Sequence, residues 1–201
     1  MAYNIIAENE NYTIVSDYQA IYRKSDKYQT EAQLEKELIK TLTEQGYDYL
    51  AIHKEQDLVD NLRVQLQKLN DYTFTDSEWK RFFNDVIANQ NEGIEAKTTK
   101  IQEDHIQVLK RDTGETKNIY LIDKKNIHNN YLQVINQYEE EQGNHDARYD
   151  VSILVNGLPL VHIELKRRGV QLKEAFNQID RYQRDSFWAG SGLYEYVQIF
   201  V

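Results

Sequence analysis

The chain has 201 residues, 40% of them hydrophobic and 28% charged, the proportions of a globular protein long enough to bury a core unaided. It has no cysteine, which excludes a disulfide scaffold, a thiolate zinc site and a cysteine nucleophile, and no apolar run near the roughly 20 residues of a membrane helix. Lys and Arg number 24 against 33 Asp and Glu, a formal charge of −9, so any DNA contact must rest on a local basic patch or on another domain.

The opening residues carry no basic segment followed by an apolar one, so no signal peptide is visible and a cytoplasmic location is expected. Residues 1–29 read as an irregular or hairpin-like arm with apolar islands at 4–7 and 12–15. Thr30-Glu31-Ala32-Gln33 fits a capping box, and Leu34, Leu38, Ile39 and Leu42 continue it as a helix closed by Gly46. A second helix spans 52–69, carried by Leu58, Leu62, Val64, Leu66 and Leu69. Thr75-Asp76-Ser77-Glu78 starts a third, with Trp79, Phe82, Phe83, Val86 and Ile87 on one face. Those aromatics suit a core better than a base-stacking platform.

Residues 89–100 read as a polar connection, 101–109 as a short strand, and 110–117 as a turn cluster around Gly114. Strands are expected at 118–122, 131–138, 149–155 and 160–166, with a polar loop at 139–144. A helix over 172–182 and a strand over 194–201 complete the chain. The pattern is α/β or α+β: N-terminal helices, then a mixed sheet with a helix packed back on it.

Asn156-Gly157, between two alternating runs, is the strongest short-range hairpin signal. Side chains two apart share a sheet face, so Val151, Ile153 and Val155 with Val161, Ile163 and Leu165 form an apolar face. The other face collects Asp150, His162, Glu164 and Lys166 only if paired positions sum to an even number. A two-residue loop pairs 155 with 158, an odd sum. Convergence of the two carboxylates therefore requires a three-residue loop or a bulge.

Two such carboxylates, with the Leu165 carbonyl, make a hard-cation site suited to Mg²⁺, and Lys166 could hold a water or stabilise a phosphate. An ordinary exposed face with scattered charge is the other reading of the same residues. Gln178 and Tyr182 lie four apart on one helix face. Lys166, Arg167, Arg168 and Lys173 form a basic edge that could meet phosphates or simply be a solvated helix start. His53, His105, His128 and His145 show no metal-ligand spacing, and His162 suits cross-strand packing.

The run RYDVSILVNGLPLVHIELK, residues 148–166, resembles the N-terminal endonuclease region of the R (HsdR) subunit of type I restriction enzymes. That family joins an acid before the hairpin, an NGLPL turn, an E-x-K strand and a helix with Q-x-x-x-Y, here Gln178 to Tyr182. The Glu-rich helix ending in Gly46-Tyr47 resembles the family's opening helix, and the match is tight over 118–183. One departure is Tyr149, where the family's pattern has Pro before the acid.

The resemblance implies a PD-(D/E)xK nuclease-like fold, a mixed central sheet flanked by helices with an N-terminal helical part. It implies an arm over 1–29 and an endonuclease domain over 30–201. It implies Asp150 and Glu164 as metal ligands, Lys166 as the catalytic lysine, and Gln178 and Tyr182 as residues that position the site or the DNA backbone. A helix acid near the metal is typical, Glu35 by preference and Glu31 second. The activity implied is that of the nuclease part of a type I site-specific deoxyribonuclease, Mg²⁺-dependent and acting on double-stranded DNA, with methyltransferase (M) and specificity (S) subunits as partners. R subunits continue into an ATP-driven translocase. No G-x-x-x-x-G-K-[ST] occurs here, so ATP binding is expected of a longer polypeptide of which this is the N-terminal portion. A stand-alone repair or recombination nuclease with the same core, and a non-catalytic docking domain, are the competing expectations.

Overall fold

The structure, a computed structural model, describes residues 4–8, 13–16, 29–140, 147–167, 171–185 and 192–201. Within the expected arm, β1 (Asn4–Glu8) and β2 (Thr13–Ser16) pair antiparallel. Helix α1 (Glu31–Glu44) begins at the capping box read from the sequence. Thr30 Oγ1 accepts from the Gln33 amide at 3.2 Å, and the Gln33 side chain accepts from the Thr30 amide at 3.0 Å. Strand β3 (Asp48–Tyr49) is a two-residue piece with no pattern long enough to read in advance. Helix α2 (Glu55–Asn70) and helix α3 (Asp76–Phe82) follow, and α3 runs on into a π-helical turn at Phe83–Ile87. Thr75 and Glu78 form a second capping box at the start of α3.

The polar connection expected at 89–100 is largely helix α4 (Ile94–Gln102). Its two lysines look solvent-facing in sequence but are buried: Lys97 pairs with Glu195, and Lys100 pairs with Glu92. Strands β4 (Ile106–Lys110) and β5 (Thr116–Tyr120) form a separate hairpin. Then come β6 (Leu132–Glu140), β7 (Ala147–Val155), β8 (Leu158–Ile163) and helix α5 (Leu172–Asp185). The strand expected at 194–201 is mostly a 3₁₀ turn, Leu193–Tyr196, ahead of a short β9 (Ile199–Phe200). The reason is burial: four consecutive residues, Leu193 to Tyr196, are all buried, which a strand presenting alternate faces does not achieve on one side.

The central sheet has the order β3-β6-β7-β8-β9, mixed in sense: β3 runs parallel to β6 and β9 parallel to β8, while β7 pairs antiparallel with both β6 and β8. Two cores flank it. On one side Leu38, Ile39 and Leu42 of α1 pack over Val134, Val151, Ile153, Ile163 and Leu165. On the other, Leu58, Leu62 and Leu66 of α2 join Phe74, Trp79 and Phe82 and a group of tyrosines. Trp79 and Phe82 both ring-pack on Phe74, at centroid distances of 5.4 and 5.7 Å, so the aromatics of α3 are core residues. No helix among the described residues is long and apolar enough to cross a membrane.

Candidate active site

The β7–β8 hairpin turns on Asn156 and Gly157, with φ of +52° and +85°, the two left-handed residues of the tight turn that an Asn-Gly pair favours. Asn156 is fully buried. Its side-chain oxygen accepts from the Tyr131 amide at 2.9 Å, and its side-chain nitrogen donates to Leu121 O at 2.9 Å. Gly157 lies against α2; a Cβ there would stand 2.6 Å from the Leu62 Cα.

The loop has two residues, and Val155 pairs with Leu158 and Leu154 with Pro159, both odd sums. The register then shifts: Ile153 pairs with Val161, Ser152 with His162 and Val151 with Ile163, all even. The extra residue is Leu160, a β-bulge beside the chain's sole proline, whose missing N–H suits an interrupted ladder. The bulge supplies the parity change that convergence of the acids requires. Val151, Ile153, Ile163 and Leu165 go to the α1 side, while His162 and Glu164 go to the other.

Asp150, Glu164 and Lys166 are thereby brought together. Asp150 Oδ2 accepts from the Leu165 amide at 2.9 Å, and Lys166 Nζ donates to Glu164 Oε1. This is no exposed face: Glu164 is 6% exposed and His162 not at all. His162 Nε2 lies 3.6 Å from Glu164 Oε2, and the ring stands edge-on to Tyr149 at 5.3 Å. Burial, with the nearby charges of Glu164 and Glu35, pushes the Asp150 carboxyl up to about 6, against the opposing pull of the Leu165 amide and Lys166. For Glu164 burial pushes the same way, but interactions with His162 and Lys166 prevail and hold its carboxyl below the usual range. The Lys166 ammonium is lowered by burial and raised by its bond to Glu164; the bond prevails, so it stays protonated.

The first turns of α1 reach the same place. Glu31 Oε1 accepts from the Arg167 amide at 3.1 Å. Glu35 accepts from Asn136 Nδ2 at 2.7 Å and from Gln137 Nε2. Glu31 also acts on Lys166 through its charge, as Glu35 does on Asp150. Behind the hairpin, Gln178 Nε2 donates to the Tyr182 hydroxyl at 2.5 Å, which donates to Arg148 O at 3.0 Å. Tyr182 is buried, so this pair ties α5 to β7 two residues before Asp150. Arg167 and Lys173 are exposed, as a phosphate-facing edge requires, and Arg168 lies outside the described residues, as does His145.

The donor set fits a hard divalent cation. It offers carboxylate oxygens and a backbone carbonyl, and Glu164 Oε2 is buried with no hydrogen-bond partner among the described residues. No group of three or more His, Asp or Glu side chains stands ready as a ligand cluster among the described residues.

The residues that sequence reasoning missed are Asn136 and Gln137 as holders of Glu35, and His53, whose Nδ1 donates to Asn136 O at 3.1 Å and to Gln137 O at 3.3 Å. The signal in the sequence was the amide pair Asn136-Gln137 in the strand just upstream of the hairpin, which did not reveal its partner.

Comparison with known proteins gives the family. The model of the type I restriction enzyme R protein N terminus matches residues 28–201. The chain is 46% identical over 197 residues to the type I restriction enzyme EcoprrI endonuclease subunit of Escherichia coli, covering 98% of this chain and 63% of that protein. It is 38% identical over 179 residues to a type I restriction enzyme endonuclease subunit of Staphylococcus saprophyticus, covering 87% of this chain and 18% of that one. A Staphylococcus aureus counterpart is 38% identical over 181 residues with the same coverage. The chain thus spans between about a fifth and two thirds of the length of these relatives. It belongs to the family of type I restriction enzyme R protein N-terminal domains.

Proposed function

We propose that this chain is the Mg²⁺-dependent DNA-cleaving module of a type I restriction R subunit, hydrolysing phosphodiester bonds of double-stranded DNA. The observation that carries the proposal is the meeting of Asp150, Glu164 and Lys166 at the end of a hairpin whose bulge sets the parity. The cation would be held by Asp150, Glu164 and the Leu165 carbonyl, with Glu35 on the open side. When bound it supplies positive charge against the phosphate and a more acidic water.

Lys166 stays an ammonium, so its part is to donate to a phosphate oxygen and offset the charge that builds there. The water oxygen adds to phosphorus, the bond to the leaving sugar oxygen breaks, and that oxygen takes up a proton. Arg167, Arg168 and Lys173 would hold flanking phosphates, and Gln178 and Tyr182 would fix the strand that carries Asp150. Recognition of the DNA target belongs to the specificity subunit, modification to the methyltransferase subunit, and ATP-driven movement to other parts of the polypeptide. The assembly works in the cytoplasm.

The test uses the assembled enzyme. Asp150→Ala, Glu164→Ala and Lys166→Ala each abolish DNA cutting while DNA-stimulated ATP hydrolysis continues. Wild-type cutting by any of the three variants refutes the assignment, and loss of both activities points to a docking role instead.

A further inference from the structure

We propose that Gln137 is a positioning residue for the metal site: left-handed backbone at the rung of Asp150 turns it, with Asn136, onto Glu35 and fixes that acid beside the hairpin acids. The inference rests on the metal-site reading above. In a regular strand, side chains alternate. Val134 packs under α1 and Asn136 meets Glu35 of α1, so Gln137 should face away and Tyr138 should return to α1. Neither happens. Gln137 also meets Glu35, and Tyr138 lies 2% exposed in the opposite core.

The partner strand changes phase at the same level. Val151 packs with α1 but Tyr149 lies in the tyrosine cluster, its ring 6.0 Å from Tyr138. The pairs Asn136–Val151 and Tyr138–Tyr149 bracket Gln137 and Asp150. The cause on β6 is Gln137 itself, with φ of +52°, a conformation that strains a residue with a Cβ.

Two further observations show that the arrangement is held in place. His53 Nδ1 donates to both carbonyls that flank the kink. The Tyr49 hydroxyl donates to Asn136 Oδ1 at 2.9 Å, which orients the amide so that Nδ2 faces Glu35. The arrangement also leaves Gln137 Oε1 buried with no hydrogen-bond partner among the described residues. Strain and an unsatisfied acceptor thus meet at one residue, Gln137. What they achieve is a carboxylate gripped on both oxygens by neutral donors, which leave its charge and one lone pair per oxygen available.

Titration of the full chain with Mn²⁺, followed by the electron paramagnetic resonance signal of the free ion, tests this alongside thermal melts in EDTA. Wild type binds and Asp150→Ala does not. Gln137→Gly relieves the left-handed backbone, so its Tm in EDTA equals or exceeds that of wild type, yet its Kd for Mn²⁺ rises about 10- to 100-fold. Gln137→Asn, which tolerates φ > 0 and keeps an amide, recovers part of the affinity. Wild-type affinity in Gln137→Gly, or a collapse of its Tm, overturns the inference and leaves the Asp150 assignment standing. A wild type that binds no better than Asp150→Ala overturns both.

Discussion

The helical side of the molecule and the open end of the β6–β8 sheet both bury acidic side chains, and they treat them in opposite ways. Around α3 and α4 each buried acid has donors matched to it. Glu78 accepts from the Thr75 amide, the Asp112 amide and the Tyr72 hydroxyl, and Glu195 holds Lys97, whose Nζ also reaches Gly192 O at 3.2 Å. At the sheet end, Asp150 and Glu164 crowd one another, and Glu164 keeps an oxygen without a hydrogen bond among the described residues. Buried polar groups that serve only the fold are satisfied. An arrangement that leaves acids in mutual repulsion is one that a further positive charge would complete.

Four substitutions turn this contrast into measurements. Glu195→Ala strands the Lys97 ammonium in the interior and should destabilise by about 3 kcal/mol or more, read as a lower urea midpoint at unchanged m-value. Asp150→Asn should act in the opposite direction. In EDTA at pH 7–8 it removes a buried charge and a repulsion, raising Tm by a few degrees. Its sign against pH follows from a folded-state value of about 6 against 3.8. Folding favours the protonated acid, so wild-type stability falls as pH rises from about 4 through 6, and the gap to Asp150→Asn opens over that range. A destabilised Asp150→Asn at pH 8 would erase the distinction between the two regions.

Tyr182→Phe removes only the hydroxyl bonded to Arg148 O and Gln178, and should cost about 1 kcal/mol while slowing DNA cutting in the assembled enzyme. Alanine is the wrong probe at this position, because a ring 5% exposed also carries core packing. The smallest effect belongs to Asp112, held at about 2 by bonds from Ser77, Thr75 and Arg81. Its contribution is present above about pH 4 and lost as pH falls through 2. Asp112→Asn should therefore lower Tm slightly at pH 7, with the gap to wild type closing as pH falls from about 4 through 2.

Local chemistry carried much of this into the sequence. Thr30 and Thr75 announce their helices through side chains that accept from nearby amides, and Asn156-Gly157 announces a turn through two left-handed residues. Parity arithmetic then tied convergence of the two acids to an irregularity in the hairpin, though it left open whether a longer loop or a bulge supplied it. What stayed hidden is non-local. Helix α4 reads as solvated because Lys97 and Lys100 look like surface residues until Glu195 and Glu92 are seen opposite them. The 3₁₀ turn reads as a strand because Tyr194 and Tyr196 alternate, although Leu193 and Glu195 are buried too. The left-handed Gln137 has no sequence signature, since nothing about glutamine favours φ > 0.

The bulged position at Leu160 has a genetic consequence. Substituting Leu160 trims packing by degrees, but deleting its codon restores odd pairing through the whole outer hairpin and sends Asp150 to the wrong side of the sheet relative to Glu164. In-frame losses of one codon between 156 and 162 should therefore silence cutting as thoroughly as removing an acid. Alleles of this kind are where inactive but still assembling R subunits would be sought.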